Sequence, residues 1–390
     1  MFKNYICALS VYLPNRIHDF INEKNPREKV YIVGNGWATY YFVKYLNKLK
    51  FEPIIIAPNS KVLNTPKLVD RLINPNTIVE FPNPYGEKIV DIVEDIDIDK
   101  KILKTKSGST YAYNRVVFAI GSEPNDFGIP GVNEYTYKLK TIQDADVIGK
   151  KLHQDMGINS TIYIIGSGIT GIELASKIEQ KIFGVKVIEG LKEILPGSNE
   201  KTKTDIVNYF IDHNKYTQLK LSHMVKSIGT NRINMEINME INTKNKLQKT
   251  IINESYISNK DMIIWTGGVR FNGFGKTKLY STLNSIVPIK PRGLDVEPDF
   301  SLKGNNNSIY CLGDMVGNAG PPTAQNAKNQ AIWLAEYFNS DFDSEYIKSN
   351  PYKIKSNGKL IHLANGTYLE SEYYSGFVPG IISKIIEWLE

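Results

Sequence analysis

Apolar residues gather in short β-branched or aromatic runs along this chain, and two of these runs close on the same kind of glycine turn. They are KVYIVGNGWAT at Lys29 to Thr39 and STIYIIGSGITGIELA at Ser160 to Ala175. A continuous apolar run of this length, bounded by a turn, reads as a strand buried on both faces. Strand, glycine turn and helix together form the frame of a dinucleotide-binding unit. The first glycine permits a tight bend, the second lets backbone approach a pyrophosphate, and a small third residue lets helix pack on strand. The pyrophosphate then rests on a helix N-terminus. Two copies in matching context predict two such units.

The second copy is the more regular, with Gly166, Gly168 and Gly171 in register and the next strand, GVKVIEG, ending at Glu189. An acid there is placed to bind a ribose 2′-OH. It would repel a 2′-phosphate, and no Arg stands in the next dozen residues, so NAD(H) is expected over NADP(H). In the first copy Gly34 and Gly36 are present and Thr39 takes the third place, but the next strand, FEPIIIAPNS, ends without an acid. Asn59 or Ser60 would have to hold that ribose.

Between the turns, Ile89 to Ser122 alternates apolar runs with charged turns and closes on RVVFAIGSEPNDFGIPGV, a buried strand crossing towards the second unit. Lys138 to His153 then reads as a helix. A helix near Lys201 to Asn214 precedes RINMEINMEIN, where Ile233, Met235, Ile237, Met239 and Ile241 alternate with polar residues. That period of two predicts a half-buried strand. DMIIWTGGVRFN at Asp261 to Asn272 repeats the strand-to-glycine pattern, and LIHLANGTYL predicts a hairpin turning at Asn365-Gly366. The last segment, FVPGIISKIIEWLE, puts Ile381, Ile382, Ile385, Ile386 and Leu389 on one helical stripe. With Lys384 and Trp388 beside it, the stripe suits an interfacial helix on lipid, the protein's own core or a dimer partner.

Composition changes this picture little. The chain has 390 residues, 42% hydrophobic and 23% charged, enough for two or three packed cores. The net charge of +6 comes from lysines spread along the chain, which argues against a nucleic-acid face. Only Cys7 and Cys311 occur and no CxxxxC follows the first turn, so a redox dithiol is not expected. Five scattered His and two Cys offer no metal-site spacing. No run of 18 predominantly apolar residues would span a bilayer. The first 28 residues, with Asp19, Glu23 and Glu28, have neither an apolar h-region nor an Arg-rich bias, so no secretory or transit peptide is expected.

SIYCLGDMVGNAGPPTAQNAKNQAIWLAEYF at Ser308 to Phe338 supplies an apolar strand, Gly313-Asp314, a Pro-Pro turn and a helix beginning near Thr323. The strand and Gly-Asp pair resemble the last flavin-binding motif of two-dinucleotide flavoproteins. With PPTAQNAKNQ the stretch resembles the type II NADH:quinone oxidoreductases, single-subunit and non-pumping respiratory dehydrogenases. GNGWAT, NTPKL at Asn64 to Leu68, YNRVVFAIGSEPNDFGIPGV and GITGIELA are similar to four further segments of that family, over about Val30 to Phe338.

The resemblance implies an α/β fold of two Rossmann-like domains, for FAD and NAD, of the pyridine nucleotide-disulfide oxidoreductase kind, plus a small C-terminal α+β element. The expected boundaries are 1–135 and 269–342 for the FAD domain, 136–268 for the NADH domain and 343–390 for a hairpin and amphipathic helix. FAD would be held by Gly34, Gly36, Trp37, Thr39, Pro66, Gly121 and Asp314. NADH would lie on Gly166, Gly168, Gly171 and Glu189, with Glu173 facing the nicotinamide. Quinone would meet the flavin near the family's AQxAxQ element, here Ala324-Gln325 and Ala327 with Asn329 in the last place and Lys328 where His is frequent. Gln325 would donate to a quinone carbonyl, and Trp37 would shield a flavin face or wall the acceptor pocket. Asn59 and Asn64 also depart from the family pattern.

The implied activity is oxidation of NADH with quinone reduction, peripheral to a membrane such as the mitochondrial inner membrane, in a monomer or homodimer. A flavoprotein reductase with a soluble acceptor and a nucleotide-sensing protein of apoptosis-inducing-factor type stand as alternatives. Sulfide:quinone oxidoreductase lacks support because its cysteine pair is missing.

Overall fold

The computed structural model describes residues 27–82, 84–157, 159–179, 184–214, 216–241, 246–257, 260–273, 275–290, 292–304, 308–355, 358–382 and 384. They fall into two compact units. Among the described residues the first draws on 27–63, Glu80–Glu123 and 270–355, the second on Asn64–Val79, Pro124–Val269 and 358–384.

The first unit is built on a five-stranded parallel sheet in the spatial order Ile309–Cys311, Arg115–Phe118, Glu28–Val33, Phe51–Ala57, Glu87–Val90. The central strand is covered on both faces, which is why it reads as a continuous apolar run: Val30 and Ile32 are fully buried. From this strand the chain winds outwards first one way and then the other, so the order reverses at its carboxyl end. In open α/β sheets that end is where ligands bind. Helix Trp37–Tyr45 leaves from there and packs against helix Ala324–Asn339. The charged-turn segment after Ile89 forms a small antiparallel sheet of Val93–Asp97, Ile102–Thr105 and Thr110–Ala112.

The second unit repeats the plan with the order Thr217–Lys220, Gly184–Ile188, Thr161–Ile165, Met262–Trp265, Tyr137–Lys138, all parallel. Helix Ile169–Glu179 follows the central strand and helix Glu200–His213 comes later. The alternating RINMEINMEI segment is a strand, Arg232–Ile241, paired on both sides, with Ile233 and Met235 fully buried and Ile237 half-buried. The side chains of Met239 and Ile241 lie outside the described residues.

Two expectations are corrected. Lys138 belongs to a sheet strand, and the helix starts only at Ile142, where Thr141 and Asp144 form a capping box; it ends in a wide turn over Lys151–Asp155. A side chain that caps a helix fixes its first residue, and the run before Thr141 is taken by strand pairing with Ile264 and Trp265. In the C-terminal hairpin, Leu363 pairs with Gly366, so the turn is Ala364-Asn365 and Gly366 already opens the second strand. A third strand, Ser375–Val378, completes this sheet.

Candidate functional site

In the first unit three chain segments reach the carboxyl edge of the sheet together. Gly34 follows the central strand with φ +114°, and an ideal Cβ there would stand 2.2 Å from the Ala119 carbonyl oxygen, so only glycine fits. Thr39, fully buried, donates its hydroxyl to the Gly34 carbonyl at 2.9 Å and fastens turn to helix. Gly36 is the N-cap of helix Trp37–Tyr45, with no side chain capping the helix amides and nothing within 4 Å of its would-be Cβ. Those amides and the positive end of the helix dipole face open space, the arrangement that takes a diphosphate.

Gly121, with φ +71°, and Ser122 follow the neighbouring strand, and Gly313 and Asp314 follow the next. Ser122 donates to Asp314 Oδ2 at 2.6 Å, joining these two strand ends. Trp37, the first helical residue, is half-buried, stacked on Tyr41 at 5.9 Å and edge-on to Phe81 at 5.0 Å. Its Nε1 is buried without a hydrogen-bond partner, as is Asn35 Oδ1 in the turn. Open helix amides and a cradle clear of side chains fit an adenine dinucleotide. Pro66, grouped by resemblance with these residues, is exposed on a short 3-10 turn, Thr65–Lys67, of the second unit.

The turn of the second unit has the same construction. A Cβ on Gly166, at φ +108°, would meet the Thr266 carbonyl oxygen at 2.7 Å, and one on Gly171 would meet the Gly166 carbonyl oxygen at 2.1 Å. Gly168 has nothing within 4 Å. Glu189 lies at the neighbouring strand end, where its Oε2 accepts the Ser167 amide at 2.9 Å and the Ser167 hydroxyl at 2.7 Å, while Oε1 accepts the Leu191 amide at 2.9 Å. The acid that would hold a ribose is thereby oriented by its own loop.

Glu173 lies past the first turn of helix Ile169–Glu179, so the helix dipole is not its role. It is 6% exposed, and its Oε1 accepts the His362 amide from the C-terminal hairpin at 2.7 Å. Burial pushes its carboxyl up to about 7, Lys177 and the His362 amide pulling against that and Asp70 adding to it. Near neutrality the group is both acid and base.

At the helix start Thr323 Oγ1 accepts the Asn326 amide at 3.2 Å, and Gln325 and Asn329 are both half-buried in the first turns. Lys328 stands over the Tyr41 ring at 5.0 Å. The residue missed by sequence reasoning is Gln330. Fully buried one place beyond Asn329, it accepts the Gly313 amide at 2.7 Å and donates to the Ala319 carbonyl at 3.0 Å. It ties the loop bearing Asp314 to the helix bearing Gln325.

Cys311 is fully buried in its strand, and burial pushes its thiol well above the usual range; Cys7 lies outside the described residues. Among the described residues no group of acids, His and Cys could hold a metal, and no helix is long and apolar enough to cross a membrane. Tyr373, Phe377, Ile381 and Ile382 are exposed at the C-terminal end, while Ile385, Ile386, Trp388 and Leu389 lie outside the described residues.

Two parallel sheets, each with a glycine turn opening on a bare helix N-terminus, define an α/β protein with two dinucleotide-binding units. The chain belongs to the pyridine nucleotide-disulphide oxidoreductase family, whose model matches residues 28–331. It is 24% identical over 375 residues to the external NADH-ubiquinone oxidoreductase 2, mitochondrial, of Saccharomyces cerevisiae, covering 84% of this chain and 65% of that protein. It is 25% identical over 391 residues to a probable NADH dehydrogenase of Dictyostelium discoideum, covering 90% and 83%. These names bear out the type II resemblance read from the sequence. The chain spans less than two thirds of the length of the first curated relatives it matches. Its fold is similar to that of NDH2 from Plasmodium falciparum in complex with NADH, with a TM-score of 0.76 at 18% identity over 93% of this chain and 94% of that one.

Proposed function

We propose that this protein oxidises NADH with a bound FAD and reduces a quinone at a membrane surface, without pumping protons. The observation that carries this reading is the doubled turn. Gly36 and Gly168 each leave a clear cradle, one beside the Ser122–Asp314 pair and the other beside Glu189. FAD, when bound, supplies the two-electron carrier between donor and acceptor.

In this reading Gly34, Gly36, Thr39 and Gly121 shape the first site, Pro66 joins them on the strength of the family resemblance, and Asp314, steadied by Ser122, accepts from hydroxyls of the flavin's side chain. Gly166, Gly168, Gly171 and Glu189 hold NADH, the carboxylate excluding a 2′-phosphate. Glu173 orients the carboxamide of the nicotinamide, for which a carboxyl near its midpoint at neutral pH can donate or accept. Gln325 donates to a quinone carbonyl, with Trp37 walling the acceptor pocket. Tyr373, Phe377, Ile381 and Ile382 form the contact with lipid, as on the mitochondrial inner membrane or its equivalent, in a monomer or a homodimer.

Asn329, shorter than the Gln in the family element, favours the second reading, a reductase with a soluble acceptor. Quinone-dependent NADH oxidation measured with Gln325→Ala separates the two. Slow quinone turnover with normal reduction of the flavin by NADH supports the proposal; equal loss of both half-reactions sinks it.

A further inference from the structure

In the second unit Glu189 is the group that would turn a 2′-phosphate away, and a carboxylate does so only while it stays in place. A freely rotating side chain would swing aside and admit the phosphate. The Glu189 backbone is fixed on both sides, its amide donating to the Lys220 carbonyl at 2.9 Å and its carbonyl accepting the His223 amide at 2.8 Å. Retreat is therefore left to the side chain, and three hydrogen bonds oppose it. Oε2 accepts the Ser167 amide and hydroxyl, and Oε1 accepts the Leu191 amide.

Ser167, fully buried, is the centre of this arrangement. Its carbonyl also accepts the Leu195 amide at 2.9 Å. Leu195 is buried and left-handed, with φ +51°, a conformation that a non-glycine residue holds only where its surroundings impose it. One residue of the glycine turn thus grips both the acid and the loop that follows it. We propose that Ser167 is a positioning residue for the choice between NADH and NADPH, its hydroxyl holding the Glu189 carboxylate in the path of a 2′-phosphate. To admit that phosphate Glu189 must turn away and give up three bonds to an ionic acceptor, of which the hydroxyl's is the one that a side-chain substitution removes. This inference rests on the reading that the second unit binds NADH.

The test measures binding of ADP-ribose and of 2′-phospho-ADP-ribose to the flavin-loaded whole protein by calorimetry, a readout independent of turnover. The wild type should favour ADP-ribose. Loss of one hydrogen bond to a charged acceptor corresponds to roughly tenfold to a hundredfold in an equilibrium constant. Ser167→Ala should narrow the preference by such a factor, through tighter binding of the 2′-phosphate, and the ratio of kcat/KM for NADH and NADPH should move with it. In a Glu189→Gln background, where the charge is gone, Ser167→Ala should leave the preference unchanged. A preference in Ser167→Ala that is unchanged, with both affinities falling alike, is a merely structural effect and overturns the role. So does a wider preference, which would mean that the hydroxyl itself binds the phosphate, or the same narrowing in the Glu189→Gln background. ADP-ribose binding that is absent from the wild type, or that persists in Gly168→Trp, overturns the reading of the second unit as well.

Discussion

Gln330 accepts the Gly313 amide at 2.7 Å from a fully buried position, and through this bond helix Ala324–Asn339 fixes the loop carrying Asp314. Replacement by Ala leaves that amide and the Ala319 carbonyl buried without partners, beside a cavity. Gln330→Ala should therefore cost about 3 kcal/mol in chemical denaturation and speed FAD release. Gln330→Glu, which still accepts from Gly313, should retain flavin better than Gln330→Ala; equal retention would detach Gln330 from the site.

Glycines of the two turns should separate by substitution. At Gly34 a methyl group meets the Ala119 carbonyl and the backbone is left-handed, so Gly34→Ala should destabilise by more than about 3 kcal/mol. At Gly168 there is space, so Gly168→Trp should fold and keep flavin but fail to be reduced by NADH. Flavin content and anaerobic reduction by NADH read both effects.

Much of this arrangement is legible in the sequence, because a strand buried on both faces must be a continuous apolar run and a turn that backs onto a carbonyl must be glycine. KVYIVG and STIYIIG declare both at once. What stays hidden arises from partners far along the chain. Gln330 looks like any helical Gln until Gly313 and Ala319 are beside it, and Glu173 gives no sign that the His362 amide closes over it. The hairpin register slips by one residue from Asn365-Gly366 because pairing of Leu363 with Gly366, not the dipeptide, places the turn.

Glu173 makes stability depend on pH. Its folded-state carboxyl is raised from 4.5 to about 7, so the folded chain holds this proton more tightly than the unfolded chain, and stability falls as pH rises through that window. Glu173→Gln keeps an acceptor for His362 and does not titrate. Between pH 5 and 8 the wild type should lose roughly 2 kcal/mol relative to this variant in denaturant unfolding. A difference independent of pH would contradict a buried, shifted carboxyl.

The exposed C-terminal group tests membrane contact without deleting a strand. Tyr373→Ser with Ile381→Asn and Ile382→Asn removes apolar surface already facing solvent, so folding should be unaffected. Cosedimentation with anionic liposomes should fall severalfold. Unchanged sedimentation would place the membrane contact elsewhere.

The decisive measurement is anaerobic absorbance of the purified whole protein through one redox cycle. A flavin band that bleaches on addition of NADH, resists NADPH and recovers on addition of a short-chain quinone is the expected result. A protein without that band, or one whose band NADH leaves unchanged, would contradict two dinucleotides working in one chain.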